Sequence, residues 1–321
     1  MVISVYSGSS ECYFVTMNEK SSKAARVMLI VNPVSGGGRS IDLLPEVIGR
    51  LAANGVQVDV NISESAAHAT EMAYLGSRCG YRRIVALGGD GTVNMVAAGI
   101  LGSESSLAVI PAGAGNDFFK LLDINNDLES ICRAVASGPV RTIDIGLFDN
   151  RPFFNMLGIG FDAEVAFEAN KANMRLGRLT YFKAVYNVWK KFPVFDLKLR
   201  IDSLELNRQV MLVAIGIGRS SGGGFLLTPQ AIPNDGKFDV CILEQVSHLK
   251  IFSILPRVVR GAHIRMPEIK IYRCRQLEIM SDRPLPIHYE GETMTSLTGR
   301  ISVKMSLEKL KVVTGVKTAK P

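Results

Sequence analysis

Short apolar runs alternate with amphipathic stretches in the first part of the chain, from Arg26 to about Arg141. The runs RVMLIVN, VQVDVNI, RIVAL and LAVIP are typical of β-strands. Between them the pattern predicts helices over IDLLPEVIGRLAANG with Gly55 as a stop, from about Ala66 to Cys79, and over TVNMVAAGIL with Thr92 as N-cap. Strands that alternate with helices indicate a doubly wound parallel sheet, which places ligands at the carboxyl ends of its strands.

The pattern changes after about Arg141 to short β-type runs with turn signals between them. These runs are TIDIGLF, PFFNMLGIGF, FDLKLRI, QVMLVAIGIG, FDVCILE, IKIYRC, QLEIM and ISVKM, interrupted by helical patterns around Met174 to Lys191 and Leu249 to Gly261. They predict a second, mostly antiparallel, β-rich and sandwich-like domain. The predicted division is a disordered leader at 1–23, an α/β domain at 24–141, a β-rich domain at 142–298 and a C-terminal segment at 299–321 that returns toward the first domain.

Composition places the chain among ordinary folded proteins. Its 321 residues are 47% hydrophobic and 21% charged, which excludes disordered and collagen-like classes. The longest apolar run, Val210 to Gly218, is too short to span a bilayer, and the N-terminal residues lack the order of a signal peptide, so we expect a cytoplasmic protein. Five scattered cysteines with no CxxC pair favour reduced, mostly buried thiols over disulfides or a zinc site. The four histidines show no ligand spacing and are interpreted as surface or capping residues.

Positive charge is concentrated in one segment. Lysine and arginine number 37 against 30 acidic residues, and Lys171 to Arg200 alone holds eight basic residues against Asp196. Aromatic residues among these charges are typical of a helix at an anionic membrane surface, although the same pattern fits a helix packed on a sheet. No helix-turn-helix, zinc-finger or RNP-like pattern accompanies the segment, so a nucleic-acid partner is not predicted.

Three glycine-rich loops carry the chemistry of the first domain. Leu87 to Asn94 (LGGDGTVN) follows a predicted strand and opens a helix, and Asn32 to Arg39 and Pro111 to Asp117 are placed in the same way. Glycines let the backbone approach a polyphosphate, and Asp90, with Asp117 as a second candidate, supplies a carboxylate for phosphate-bound Mg²⁺. Each loop alone is compatible with a plain turn, but three at one sheet edge predict a nucleotide pocket. None matches GxxxxGK[ST], which excludes a Walker-type P-loop.

The order of motifs along the chain resembles the diacylglycerol kinase catalytic-domain superfamily, in its bacterial soluble lipid-kinase branch. The resemblance runs from about Arg26 to Val313 through VNPVSGGGR, GGDGTVN, IPAGAGNDF, IDIG, FNMLGIGFDAEV, GGGFLLTPQAIPNDGKFDV and EGE. It implies that ATP, with Mg²⁺, phosphorylates a lipid hydroxyl in a cleft between a nucleotide domain and a lipid-binding domain. Diacylglycerol is the expected acceptor and phosphatidic acid the expected product.

The resemblance also implies roles for individual residues. Nucleotide contacts would map to Asn32, Ser63, Gly88, Gly89, Asp90, Gly91, Thr92, Val93, Asn94, Gly113 and Ala114. The general base would be Glu292 in the triplet Glu290-Gly291-Glu292, and Asp90 is the second catalytic candidate. A structural Mg²⁺ would be held by Ile232, Asp235 and Lys237, although Asn234-Asp235-Gly236 is first of all a turn signal.

Three departures from the family pattern keep alternatives open. Met95 and Ala114 stand where the family has an acid and a threonine beside the nucleotide, and Glu290 stands where it has aspartate. Met95 and Ala114 motivate a non-catalytic nucleotide- or lipid-binding regulator as one alternative to the lipid kinase. The other alternative is a soluble-metabolite kinase of the NAD-kinase type, because GGDGT alone would also fit NAD kinases. The expected partners are ATP, a lipid alcohol and an anionic membrane surface; a homodimer and the identity of the lipid are left open.

Overall fold

The computed structural model describes residues 25–171, 185–188, 194–290 and 292–315. They form two compact units, one that runs up to Thr142 and resumes at Leu310, and one that comprises Ile143 to Lys309. The predicted leader at 1–23 lies outside the described residues, as do residues 172–184 and 189–193 of the basic segment. Of the helix predicted around Met174 to Lys191, only residues 185–188 are described, and they are helical.

The first unit is built on a parallel sheet. Its strands follow the order β2-β1-β3-β4, and the end of β15 pairs in parallel with β4 through Val312 and Leu107. Their bounds are β1 Ala25–Val31, β2 Val56–Ile62, β3 Arg83–Gly88, β4 Ser106–Pro111 and β15 Arg300–Val313. The strands β1, β3 and β4 are buried along most of their length, as is usual for strands covered on both faces by helices.

Four helices connect these strands or follow them. They are α1 Arg39–Ala53, α2 Ala66–Arg78, α3 Asp90–Ile100 and α4 Leu128–Ser137. Local signals explain several ends: the Ser65 side chain caps α2 by accepting the His68 N–H, and Asp127 caps α4 by accepting the Ser130 N–H. Thr92 was predicted as the N-cap of α3, and this is wrong. Asp90 and Gly91 already belong to the helix, so Gly89 is the N-cap.

The strand order reverses direction at β1. The chain moves from β1 to β2 on one side and then returns past β1 to β3 and β4. Right-handed crossovers put α1 on one face of the sheet and α2 and α3 on the other, in agreement with the packing of α2 against α3 and of α1 against α4. In such a sheet the crevice for a ligand lies outside the carboxyl ends of β1 and β3.

The second unit is an antiparallel, sandwich-like β domain. One sheet path runs β14-β13-β7-β9-β8-β12-β15, while β10 pairs with β9 and β11, and β5 pairs with β6. The strands are β5 Val140–Phe148, β6 Arg151–Phe153, β7 Met156–Gly160, β8 Phe195–Ile201, β9 Leu204–Gly216, β10 Phe238–Glu244, β11 Ile269–Cys274, β12 Gln276–Met280, β13 Leu285–Tyr289 and β14 Glu292–Ser296.

Among the described residues, the helices α5 Phe161–Lys171 and α6 His248–Val259 accompany these strands. The hydrophobic core includes alternate residues of β8, such as Leu197 and Leu199, as the FDLKLRI pattern predicts. His263 is buried in this unit, so its predicted surface position is wrong; burial against Leu227 and Cys241 explains the difference. In the part of the chain that the structure describes, no helix has the length and apolar character needed to cross a membrane.

Candidate functional site

The three glycine-rich loops meet at the carboxyl edge of the parallel sheet. The first follows β1, the second follows β3, and the third follows β4, which makes them neighbours because β1, β3 and β4 are adjacent strands. The Asn32 N–H donates to Leu87 O at 3.2 Å, and Asn32 Nδ2 donates to Thr92 Oγ1 at 3.1 Å. The first loop is therefore fastened to the second at the strand-order reversal.

Glycines allow these loops to approach more closely than side chains would permit. A Cβ atom on Gly113 would lie 2.5 Å from the Cα of Gly89, and one on Gly36 would lie 2.0 Å from the carbonyl oxygen of Ala112. Gly36 also has a φ of +62°, which glycine adopts at little cost. The Gly89 N–H donates to Ser35 Oγ at 2.8 Å and so joins the first two loops. Contact between the loops is thus enough to require glycine at positions 36 and 113.

The N-terminus of α3 opens at this junction without a side-chain cap, because its N-cap is Gly89. The first N–H groups of a helix lack intrahelical acceptors, and together with the helix dipole they favour an anion. The side chains of Thr92, Val93 and Asn94 are buried. Of the predicted nucleotide contacts, those three would therefore act through the main chain, and Thr92 Oγ1 is already bonded to Asn32.

Asp90 occupies the first turn of α3. Its Oδ1 atom accepts the Phe118 N–H at 2.9 Å, and the Asp117 N–H also donates to this carboxylate, so Asp90 fixes the third loop to the second. Burial raises the pKa of Asp90, and the nearby charge of Asp117 adds to this shift, while the hydrogen bonds oppose it. Asp117 is itself buried and pairs with Lys120 at 2.6 Å.

The remaining nucleotide candidates are placed differently. Ser63 lies just after β2 and is buried, with its hydroxyl donating to Val31 O at 3.1 Å. Ala114 is exposed at the tip of the third loop, whose shape is held by Asn116. The Gly113 N–H donates to Asn116 Oδ1 at 3.0 Å, and Asn116 Nδ2 returns a bond to Gly113 O at 2.8 Å. Ser63 thus has its donor engaged, whereas Ala114 presents only backbone and a methyl group.

In the second unit, the proposed base Glu292 is the first residue of β14. Its side chain is exposed, and it pairs with Tyr289 across the β13–β14 hairpin. Glu290 precedes it with a φ of +51° and folds its carboxylate back onto the chain. Glu290 Oε1 accepts the N–H of Phe154 at 2.6 Å and that of Asn155 at 3.1 Å. Of the two acidic residues, Glu290 therefore holds the hairpin and Glu292 is exposed.

Two further side chains fasten β13 to neighbouring elements. The Tyr289 hydroxyl donates to Pro152 O at 2.5 Å, and burial raises the pKa of Tyr289 to about 12. His288 Nδ1 lies 3.1 Å from the buried carboxylate of Asp162 in the first turn of α5. Opposite His288, Gly158 leaves room for that carboxylate, since a Cβ there would lie 2.2 Å from Asp162 Oδ2. The hairpin is thus anchored by three consecutive residues.

The predicted cation ligands Ile232, Asp235 and Lys237 lie in one loop before β10. Carboxylate and carbonyl oxygens are ligands that Mg²⁺ accepts, so the donor types fit. Asp235 is nevertheless occupied: one oxygen pairs with Arg273, and the other accepts the Lys237 N–H at 3.1 Å. Within the described ranges, no group of three or more His, Cys, Asp or Glu side chains is arranged to hold a metal. A cation here would rest on one carboxylate and would compete with Arg273.

Sequence reasoning missed several residues that organise these sites. Ser35 and Asn116 stand inside the quoted loops, and small polar residues beside glycines were the available signal. Asp162 stands in the quoted motif FNMLGIGFDAEV, as an acid in the first turn of an unpredicted helix. His288 gave no signal, because its partner is 126 residues away in sequence.

Comparisons with known proteins agree with this architecture. Residues 26–148 match the family described as diacylglycerol kinase catalytic domain, and residues 155–314 match the YegS C-terminal NAD kinase beta sandwich-like domain. A diacylglycerol kinase of Staphylococcus saprophyticus is 26% identical over 287 residues, covering 88% of this chain and 94% of the relative. One from Staphylococcus aureus (strain MRSA252) is 28% identical over 270 residues, covering 83% and 86%.

Solved structures share the fold. A provisionally assigned diacylglycerol kinase of Bacillus anthracis str. Sterne superimposes with a TM-score of 0.76 at 22% identity, over 92% of this chain and 99% of that one. A second structure, described as a diacylglycerol kinase of the same organism, gives a TM-score of 0.70 at 18% identity, with coverage of 92% and 98%.

Proposed function

This chain belongs to the diacylglycerol kinase catalytic-domain superfamily, and on that premise we propose that it transfers the γ-phosphoryl group of ATP to a lipid hydroxyl. Diacylglycerol is the proposed acceptor and phosphatidic acid the product. The observation that carries the proposal is the meeting of three glycine-rich loops at the uncapped N-terminus of α3, beside a carboxylate. Phosphoryl transfer chiefly requires positioned phosphates and neutralised charge. Helix N–H groups are suited to the first requirement, and a carboxylate that holds Mg²⁺ is suited to the second.

In the proposed nucleotide site the main chain does most of the binding. N–H groups of the first turn of α3 would bind phosphate oxygens of the Mg²⁺-ATP substrate, with Asp90 directed to its Mg²⁺. Asn32, Gly88, Gly89, Gly91 and Gly113 would shape the cradle, and Ser63 and Ala114 would border it. Because Asp90 also holds the third loop through Phe118, its two roles are coupled.

Glu292 is proposed as the general base. Its carboxylate would take the proton of the acceptor hydroxyl as that oxygen bonds to the γ-phosphorus. The bond from the γ-phosphorus to the bridging oxygen breaks, and ADP leaves. Glu292 is exposed on a hairpin anchored by Glu290, which supports this assignment because a base must be both accessible and positioned.

A structural Mg²⁺ on Ile232, Asp235 and Lys237 is also proposed. If bound, it would lend the loop before β10 rigidity by joining oxygens that are separate in sequence. Arg273 would have to release Asp235.

The proposed location is the cytoplasm, at the surface of an anionic membrane, since the acceptor is a bilayer lipid. The basic segment from Lys171 to Arg200 was predicted to make this contact, but Lys190 and Lys191 lie outside the described residues. Within the described part, Arg200 pairs with Glu205 and Glu278, so this arginine is already neutralised.

The experiment that tests the proposal is transfer of labelled phosphate from ATP to a panel of lipids in mixed micelles, with NAD as a soluble acceptor. The second-unit match to an NAD kinase-like sandwich makes NAD the appropriate control. Labelled phosphatidic acid is the expected product. Labelled NAD with unlabelled lipids would establish the soluble-metabolite alternative, and ATP binding without any labelled product would establish the non-catalytic one, for which Met95 and Ala114 are the motivation.

A further inference from the structure

A second basic segment, not singled out in the sequence, lies wholly in the second unit. Residues 248–275 contain seven basic residues and one acidic residue, Glu268. The segment comprises α6, a following 3₁₀ turn at Ala262–Arg265, and β11. Its excess of positive charge is therefore six, nearly the +7 of the whole chain.

Ion pairs neutralise only part of this charge. Lys250 pairs with Glu268, and Arg273 pairs with Asp235 and Asp239. Arg257, Arg260 and Arg265 are exposed, and among the described residues none of the three has an ion-pair partner. Lys270 in β11 and Arg275 just after it also lack an ion pair in this part of the described chain. We call the three exposed arginines on α6 and the turn after it, Arg257, Arg260 and Arg265, the arginine face.

The arginine face has a fixed geometry. Ile254 and Val258 of α6 are buried, whereas Arg257 in its last turn and Arg260, the C-cap residue that follows it, are exposed. Gly261, with a φ of +69°, turns the chain so that the 3₁₀ turn bearing Arg265 packs against α6. The three charges therefore lie on adjacent elements of one surface.

Hydrogen bonds fasten this surface to the glycine-rich loop at 219–231. The Leu226 N–H donates to Val258 O at 3.2 Å, and His263 Nε2 donates to Leu227 O at 3.2 Å. A Cβ on Gly261 would lie 2.9 Å from Pro229, which shows how closely the loop and the turn pack. These contacts hold α6 and the 3₁₀ turn, which carry the arginine face, against the loop at 219–231.

A structural role accounts for part of this pattern. Cations in the last turn of a helix stabilise its dipole, and Arg257 also bonds to Ser253 O in its own helix. Stabilisation of the helix dipole does not explain Arg265, which lies beyond α6. It also does not explain why there are three cations or why all three are exposed. An anionic partner accounts for all three.

From this charge complementarity we infer that the arginine face docks the protein on a bilayer of anionic phospholipid. The inference rests on the proposed function, because a kinase whose acceptor is a bilayer lipid must reach that bilayer. Guanidinium groups bind phosphate through two parallel hydrogen bonds, and an outward cationic helix is suited to lie at such a surface. The arginine face is then an electrostatic contact with the bilayer that is made by described residues of the second unit.

The test is co-sedimentation with vesicles of pure phosphatidylcholine or of phosphatidylcholine containing phosphatidylglycerol. The wild-type protein is expected to prefer the anionic vesicles and to lose that preference as salt rises. The triple variant Arg257→Gln, Arg260→Gln, Arg265→Gln is expected to bind them on the order of 100-fold more weakly at low salt, about fivefold for each arginine. The corresponding Arg→Lys triple variant should retain most of the binding.

A matched control removes the same charge elsewhere in the unit. Lys198, Arg300 and Lys304 are exposed on β8 and β15 with no ion pair among the described residues, and their triple Gln variant should bind nearly as wild type does. Equal losses in both triple variants, or a larger loss in the control, would overturn the inference. So would binding to a single-stranded RNA that depends on the arginine face in a protein that ignores anionic vesicles.

A failure of membrane docking can be distinguished from a failure of the proposed kinase function. Vesicle binding is measured without ATP, so it reports docking even if no phosphoryl transfer occurs. Conversely, activity toward diacylglycerol in detergent micelles, which need no anionic surface, should be similar in the Gln triple variant and the wild type. A matching loss of micellar activity with intact vesicle binding would place the arginines at the lipid site and would overturn docking.

Discussion

Glu290 accepts the main-chain N–H of Phe154 at 2.6 Å, and this contact joins the hairpin that carries the proposed base to the connection between β6 and β7. Phe154 and Asn155 are buried, so removal of the carboxylate would leave two buried N–H groups without their acceptor. Glu290→Ala is expected to lower the free energy of unfolding by about 1–3 kcal/mol. Unfolding by denaturant measures this change in the free energy of unfolding. Glu205→Ala, at an exposed ion pair, serves as control and should cost less than ~1 kcal/mol.

Asp90→Asn tests the nucleotide site. The amide oxygen can still accept the Phe118 N–H, but the side chain loses the charge that would face Mg²⁺. We expect turnover to fall on the order of 100-fold while the melting temperature stays close to that of the wild type. Steady-state kinetics and thermal melting measure the two effects. Near-normal turnover would reduce Asp90 to a loop-fastening residue.

Glu292→Gln tests the proposed base. Glutamine keeps the size and hydrogen bonding of the side chain but cannot take a proton, so phosphorylation should fall by ~10²–10⁴. ATP binding, measured by calorimetry, should be largely retained because Glu292 belongs to the second unit and the nucleotide loops to the first. Parallel losses of ATP binding and turnover would contradict the assignment.

Asp235 and Arg273 test the structural cation. If Mg²⁺ binds at Asp235, added Mg²⁺ should raise the melting temperature of the wild type, and Asp235→Ala should abolish that increase. Arg273→Gln should enlarge it, because the guanidinium group competes for the same carboxylate. A wild-type melting temperature that responds to neither Mg²⁺ nor EDTA would remove the cation from this loop.

Because His263 is buried, we expect the free energy of unfolding to fall in mild acid. Burial lowers the pKa of His263 below its ordinary 6.5, and its Nδ1 atom has no hydrogen-bond partner among the described residues. In the unfolded chain the imidazole takes up a proton near pH 6.5, whereas in the folded state it resists protonation. The free energy of unfolding should therefore fall as the pH drops below that value, by at most about 1.4 kcal/mol for each pH unit.

The comparison variant for this prediction is His263→Gln, whose neutral amide can still donate to Leu227 O. It should show a shallower dependence of unfolding free energy on pH between about 6.5 and 5. An unchanged slope would assign the acid sensitivity to other groups.

The sequence predicted the parallel unit better than the antiparallel one, for physical reasons. Strands such as β3 and β4 are buried on both faces, so each is a continuous apolar run bounded by turns. The run PFFNMLGIGF was interpreted as a single β-type stretch, but the structure divides it into β6 and β7 and begins α5 at Phe161. The helix α4 and the strands β13 and β14 were not predicted.

The hairpin β13–β14 illustrates what local sequence patterns cannot predict. Its strands are five residues each and contain Pro286 and two threonines. Of the two, β13 pairs with β7, more than 100 residues earlier in the chain. Such pairing depends on tertiary contacts that no local pattern contains. For the site, the loops at Asn32, Gly88 and Gly113 were identifiable from glycines, whereas the anchoring role of Glu290 required knowledge of what its carboxylate meets.

The division of β15 between the two units has a consequence for biosynthesis. Its residues up to Lys309 belong to the second unit, while Leu310 to Val313 belong to the first, where Val312 pairs with Leu107 of β4. The first unit is therefore interrupted in sequence by the whole of the second. During translation the N-terminal strands emerge from the ribosome long before the segment that completes their sheet. The β-rich unit therefore has time to fold while the edge of β4 is still unpaired. Chaperones should accordingly be needed for as long as this edge is exposed, and a stop codon before Leu310 should leave an aggregation-prone strand edge.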